Sequence, residues 1–233
     1  MASKTIILVT GANTGIGFDT TYALANANPN NHVILGTRSI EKGNKALADL
    51  KARQPVGTIS VLELDITKDD SIRAAVAKIS AEFGVLDVLI NNAGVIPQDV
   101  TDRRTAYITT LHTNSISPLL LTEALVPLLQ KSKEPRIVNV SSCLGSVSER
   151  PKPEFEYYGV TDEGYRMSKA ALNMATVWYV VTDLTGEDDR QNRINRGAES
   201  SETSAAGILE IVEGMRDGEP DLLLARYGKT WSW

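Results

Sequence analysis

The chain holds a single cysteine, Cys143, in 233 residues, so no disulfide can form within it. A reducing compartment suits such a chain, and the cytoplasm is the expected location. Its two histidines, His32 and His112, lack metal-ligand spacing, which predicts no metal site. No stretch approaches the roughly 20 consecutive apolar residues that cross a bilayer. The apolar run in "MASKTIILVTGANTGIG" is too short for a signal-peptide core and is followed by glycines. Basic excess is missing as well: Lys and Arg number 24 against 29 acids, a net charge of −5. A nucleic-acid footprint needs clustered Lys and Arg, so neither nucleic acid nor membrane is expected as a partner. What remains is a globular protein with a small-molecule or protein partner.

Short apolar runs alternate with amphipathic stretches along the chain. "KTIILVT" (4–10), "HVILGT" (32–37), "TISVLEL" (58–64), "LDVLINN" (86–92) and "RIVNVSS" (136–142) are rich in Val, Ile and Leu and bounded by polar residues or glycine, as buried strands are. Helices are expected between and after them at 15–28, 39–53, 68–83, 102–131, 162–184 and 201–218. In the third, Ile72, Val76, Ile79 and Phe83 share one face, acids crowd the start and Gly84 ends it. Strand–helix alternation with uniformly apolar strands predicts one α/β domain over 1–233, a doubly wound parallel sheet of Rossmann type with helices on both faces.

"TGANTGIG" (10–17) follows the first strand and opens the first helix. Gly11 allows the tight turn, while Gly15 and Gly17 let a pyrophosphate approach the backbone and the helix pack on the strand. The helix N-terminus then offers free N–H groups and a favourable dipole to the anion.

The Gly-x-x-x-Gly-x-Gly spacing resembles that of the short-chain dehydrogenase/reductase family. The other family motifs follow in order: Asp65 after the third strand, "NNAG" (91–94) after the fourth, Asn114 in the fifth helix, "SSCLG" (141–145) and Tyr165-x-x-x-Lys169. The resemblance implies a nicotinamide cofactor held by Gly11, Thr14, Gly15, Ile16, Gly17, Thr37, Arg38, Asp65, Ile66, Asn91, Asn92, Ala93 and Gly94, with Tyr165 and Lys169. Asp65 would face the adenine. "NNAG" would line the cofactor while steadying the central strand.

NAD-preferring enzymes place an acid about 20 residues past the glycines, on the ribose 2′-hydroxyl. Here the second strand ends "LGTRS". Arg38 suits a charge-assisted pair with a 2′-phosphate, so NADP is expected over NAD.

Residues i and i+4 of a helix are neighbours, with Cβ atoms about 5–6 Å apart, so Tyr165 and Lys169 can reach one spot. Lowering a phenol from about 10 to about 7 requires roughly 4 kcal/mol in favour of the phenolate. One cation about 4 Å away, at an effective dielectric near 20, supplies about that much. The expected reaction is hydride transfer between nicotinamide and a carbonyl or secondary alcohol. Tyr165 is then the general acid/base and Ser142 a hydrogen-bond donor to the substrate oxygen. As the family implies, Lys169 also holds the ribose, and Asn114 holds a water that links Lys169 to solvent. The alternative is a dinucleotide-binding sensor or scaffold without turnover, although such proteins usually lose the Tyr and Lys.

Two stretches depart from the family pattern. The segment between Ser142 and Tyr165, "SVSERPKPEFEYYGVTDEG", is long and resembles insertions of carbonyl-reductase-like members, several of them monomeric. Phe155, Tyr157 and Tyr158 there suit either a substrate wall or plain loop packing, and the expected state is monomer or homodimer. Cys143 reads as a small buried filler or, if exposed, as an oxidation-sensitive thiol. After the Tyr–Lys helix, the family supplies a sixth strand and a Pro-Gly segment. Here "TGEDDRQNRINRGAESSE" (185–202) has no run of four apolar residues, which predicts an irregular segment. The last strand is then expected within "DLLLARYGKTWSW" (221–233), for six strands rather than seven.

Overall fold

The structure, a computed structural model, describes residues 4–98, 101–175 and 201–215, together with the backbone at 223–224 and 230–231. Five parallel strands form one sheet in the order β3-β2-β1-β4-β5: β1 Thr5–Thr10, β2 Asn31–Thr37, β3 Thr58–Glu63, β4 Val88–Asn91 and β5 Arg136–Asn139. Chain order reverses between β1 and β4, which opens a crevice beyond the strands' carboxyl ends.

Alternation along β1 fixes the two cores. Ile7 and Val9 join Leu24 and Ala25 of α1 (Gly15–Ala27), Ala46 and Leu50 of α2 (Ile40–Ala52), and Ile208 and Ile211 of α7 (Ser201–Val212). Ile6 and Leu8 face the other way, toward Ile72 and Ile79 of α3 (Asp69–Glu82) and Leu121, Leu125 and Leu128 of α5 (Ser117–Leu129). Strands buried on both faces explain the unbroken Val/Ile/Leu runs.

Three expected helices and the last strand differ. The helix predicted at 102–131 is α4 (Arg103–Leu111), a π turn at His112–Ile116 and α5 in succession. The helix predicted at 162–184 is α6 (Glu163–Met174), capped by Ala175; residues 176–200, with the expected irregular segment up to 200, lie outside the described residues. The helix predicted to run to 218 ends at Val212, and Gly214 at φ +76° with Met215 N–H donating to the Glu210 carbonyl (3.0 Å) closes it. Among the described residues the sheet has five strands, not six. Of the expected last strand, β6 (Leu223–Leu224) pairs antiparallel with β7 (Thr230–Trp231) instead of joining β5.

Candidate active site

The glycine loop is shaped by close approaches. Gly11 sits at φ +62°, and a Cβ there would lie 2.8 Å from Ala93 Cα. At Gly17 a Cβ would fall 2.4 Å from Asn92 Nδ2 and 2.8 Å from the Gly11 carbonyl oxygen. Gly15 has φ +56° and open space beside it, so there the backbone angle alone asks for glycine. Asn92 fastens the loop: its Nδ2 donates to the Thr10 carbonyl (2.8 Å), and its N–H donates to Thr10 Oγ1 (3.0 Å). Thr14, the α1 N-cap, makes no side-chain cap bond, and no acid stands in the first turn. The N–H groups of that turn therefore remain available to an anion.

The loop borders a cavity of about 1080 Å³, lined also by Thr14, Ile16, Thr37, Arg38, Asp65, Ile66, Asn92, Ala93 and Gly94. Left-handed glycines, close approaches that exclude a Cβ, and open N–H groups beside this volume fit a dinucleotide. Thr37 is buried and donates to Asn13 Oδ1 (3.1 Å), holding the second strand's end to the loop. Asp65 accepts from the N–H (3.1 Å) and hydroxyl (2.7 Å) of Thr67 and lies 3.4 Å from Lys68 Nζ. Burial opposes its ionisation, but Thr67 and Lys68 outweigh burial and hold the carboxyl below its usual range. Arg38 is joined at the cavity by two exposed lysines of α2, Lys42 and Lys45. Sequence reasoning missed both; the signal was their i+4 and i+7 spacing from Arg38.

Asn91 stands apart from this lining. It is buried on the sheet, donating to Thr122 Oγ1 (3.1 Å) and Asn139 Oδ1 (2.7 Å), so of the two expected roles it fits the steadying of the strand.

At the other end of the crevice the π turn places Thr113, Asn114 and Ser115 all inward. Asn114 Oδ1 accepts from Val95 N–H (2.8 Å), while its Nδ2 donates to the Val95 carbonyl (3.0 Å) and Ser168 Oγ (3.1 Å). Ser115 Oγ donates to the Ser168 carbonyl (2.6 Å). Together they clamp α6 between Tyr165 and Lys169. These bonds join Asn114 to the helix but not to the lysine ammonium itself.

Asp162 caps α6 by accepting from Tyr165 N–H (3.1 Å). Tyr165 and Lys169 are both buried, and Lys169 Nζ stands 5.6 Å from the centre of the Tyr165 ring, so the two side chains share one side of the helix. The ammonium donates to the Val140 carbonyl (2.8 Å), and no carboxylate pairs with it among the described residues. Burial lowers its pKa to about 7.

The segment after β5 lies directly on α6. A Cβ on Gly145 would meet the Lys169 carbonyl carbon at 2.6 Å, and Ser141 Oγ reaches Asn173 Oδ1. Ser142 is buried, with Oγ accepting from Leu144 N–H (3.2 Å) at the start of a 3-10 turn, Cys143–Gly145. Cys143 is buried, and burial first, then Glu156, pushes its thiol up to about 12, which suits the filler and not the reactive thiol. Of the three aromatic residues in the long segment, Phe155 is buried and packs edge-on against Tyr157, while Tyr158 is exposed.

A doubly wound sheet with a glycine loop at its switch point and a Tyr–Lys helix beside it is the architecture of a dinucleotide-dependent oxidoreductase. Residues 5–180 match the short chain dehydrogenase family, and the chain belongs to that family. It is 40% identical over 183 residues to a short-chain dehydrogenase/reductase of Aspergillus fumigatus, covering 75% of this chain and 70% of that one. A second short-chain dehydrogenase/reductase, from Talaromyces stipitatus, is 32% identical over 98% of this chain and 88% of its own length. NADPH-bound carbonyl reductase from chicken fatty liver superposes with a TM-score of 0.80 at 26% identity, over 100% of both chains. No described helix is long and apolar enough to cross a membrane.

Proposed function

We propose that this protein is an NADP-dependent oxidoreductase acting on a carbonyl or secondary alcohol. The observation that carries the reading is the buried pair itself, an ammonium 5.6 Å from the centre of the phenol ring with no carboxylate paired to it among the described residues. Inside that buried space a charged lysine favours the phenolate over the neutral phenol. Tyr165 gives its proton to the substrate oxygen in reduction and takes it back in oxidation. Ser142 donates a hydrogen bond to that oxygen as charge develops there. Lys169 resupplies the proton and holds the nicotinamide ribose, with Asn114 keeping the helix in register and holding a water toward solvent.

The glycine loop and α1 N-terminus hold the pyrophosphate, Asp65 faces the adenine, and the cofactor when bound supplies the hydride. Preference for NADP over NAD is supported by Arg38, Lys42 and Lys45 around one end of the cavity, and by the NADPH in the carbonyl reductase relative. The test is NADPH binding by fluorescence together with turnover of a panel of ketones, aldehydes and quinones. NADPH consumption with a carbonyl supports the reading; binding without any turnover favours a sensor or scaffold. A cytoplasmic location and a monomer or homodimer belong to the same proposal.

A further inference from the structure

Next to Tyr165 on α6 stands a second buried cation that the proposed chemistry does not use. Arg166 is 4% exposed, and each of its three nitrogens donates to a backbone carbonyl. Nε donates to the Val160 carbonyl (3.0 Å), Nη1 to the Leu144 carbonyl (3.3 Å) and Nη2 to the Tyr157 carbonyl (2.8 Å). A buried guanidinium without carbonyl or carboxylate partners would be strongly unfavourable, so the three carbonyls and the charge fix one another.

The three acceptors sit at the two ends of the long segment between Ser142 and Tyr165. Leu144 lies in the 3-10 turn whose N-cap is Ser142, and Tyr157 and Val160 close the other end. Between them the chain is a succession of tight turns, with the N–H groups of Lys152, Phe155, Tyr158 and Val160 donating to the carbonyls of Glu149, Lys152, Phe155 and Tyr157 at 2.9–3.1 Å. Lys152 and Glu149 (2.7 Å) and Arg150 and Glu163 (3.6 Å) add ion pairs. One planar fork thus gathers both ends of the segment onto the helix that carries Tyr165. A lysine offers one nitrogen and cannot span three divergent carbonyls.

We propose that Arg166 is a positioning residue: by holding Leu144, Tyr157 and Val160 to α6 it sets the place of Ser142 against Tyr165 and fixes the 149–160 segment on the helix. The inference rests on the roles of Ser142 and Tyr165 proposed above. Its contacts lie away from the glycine-loop cavity, so cofactor affinity and carbonyl turnover separate.

The experiment compares the native protein with Arg166→Lys and Arg166→Ala. Expected are kcat/KM values for a carbonyl substrate lowered about 10-fold to 100-fold, NADPH Kd within about twofold of native, and faster amide hydrogen exchange over 149–160. Millimolar free guanidinium should restore much of the Arg166→Ala loss and slow the exchange. An unchanged kcat/KM in Arg166→Ala overturns the proposal. So does a parallel fall of NADPH affinity, thermal stability and kcat/KM that guanidinium does not reverse. If the native protein turns over no carbonyl, the proposed function fails by itself, and hydrogen exchange then decides the role of Arg166: unaltered exchange at Tyr158 and Val160 overturns it, and faster exchange reversed by guanidinium upholds it.

Discussion

At the glycine-loop end of the crevice Arg38, Lys42 and Lys45 stand exposed at the rim, while the shape of the site is made by backbone: Gly11, Gly15, Gly17 and the Asn92 tether. On α6 the arrangement is reversed. Arg166 and Lys169 are 4% and 1% exposed, and their hydrogen bonds go to main-chain carbonyls, three for Arg166 and that of Val140 for Lys169. Exposed charges in high dielectric contribute affinity that salt screens and contribute little to folding. Buried charges held by carbonyls are tied to the fold itself, so they serve chemistry and geometry at the expense of stability. The two ends should therefore answer mutation differently.

The largest effect is expected at Tyr165. Tyr165→Phe removes only the proton-transferring hydroxyl, so kcat should fall about a thousandfold while NADPH Kd stays within about twofold of native. Steady-state kinetics and fluorescence titration check both halves, and a variant retaining most of the rate would remove the proton-transfer end from the comparison.

Lys169 comes next, through stability. Its folded pKa of about 7 lies below the 10.5 of an ordinary lysine, so the unfolded chain binds more protons between those values. Stability of the cofactor-free protein should then rise with pH across that window, by on the order of 5 kcal/mol, and Lys169→Met should lose the rise. Urea midpoints from pH 7 upward read it. Equal slopes in the two proteins would mean that the lysine is not held at a disadvantage.

The glycines sharpen the contrast within the glycine-loop end. Gly17→Ala places a methyl 2.8 Å from the Gly11 carbonyl oxygen, and NADPH affinity should fall about a hundredfold. Gly15→Ala meets nothing and is burdened only by its φ of +56°, roughly 1–2 kcal/mol, so about a tenfold loss is expected.

The smallest effect belongs to the rim. Arg38→Ala, and Lys42→Ala with Lys45→Ala, should each raise NADPH Kd about fivefold and leave NADH binding and thermal stability unchanged. Repeating the titrations at higher salt should shrink the difference. Equal losses for NADH and NADPH would separate these cations from a 2′-phosphate.

Much of the architecture was legible because buried parallel strands are uniformly apolar and because a glycine loop between strand and helix has few other uses. The fold class and the five strands of the sheet follow from these, and the contact of Tyr165 with Lys169 follows from i,i+4 spacing on a helix. Other features depend on packing that one-dimensional spacing does not carry. The π turn at His112–Ile116 hides within an unbroken helical pattern, yet it turns Asn114 and Ser115 together onto Ser168. Lys42 and Lys45 lie on the exposed face of α2, and only the cavity bordering that helix marks them out. Asn91 and Asn92 are adjacent in sequence, but Asn91 ends β4 and bonds to Asn139, while Asn92, just past the strand, reaches the glycine loop. The spacing of Tyr165 and Lys169 implied a cation beside a phenol. That the cation is wholly enclosed, and so titrates near neutrality itself, needed the surrounding structure.

The proposed chemistry requires the charge on Lys169 to make the Tyr165 phenol more acidic. The most direct measurement is the ultraviolet difference titration of the Tyr165 phenolate, with Tyr165→Phe as the blank, in the native protein and in Lys169→Met. Ionisation of Tyr165 at a lower pH in the native protein is the expected result. The same or a lower ionisation pH in Lys169→Met would contradict it.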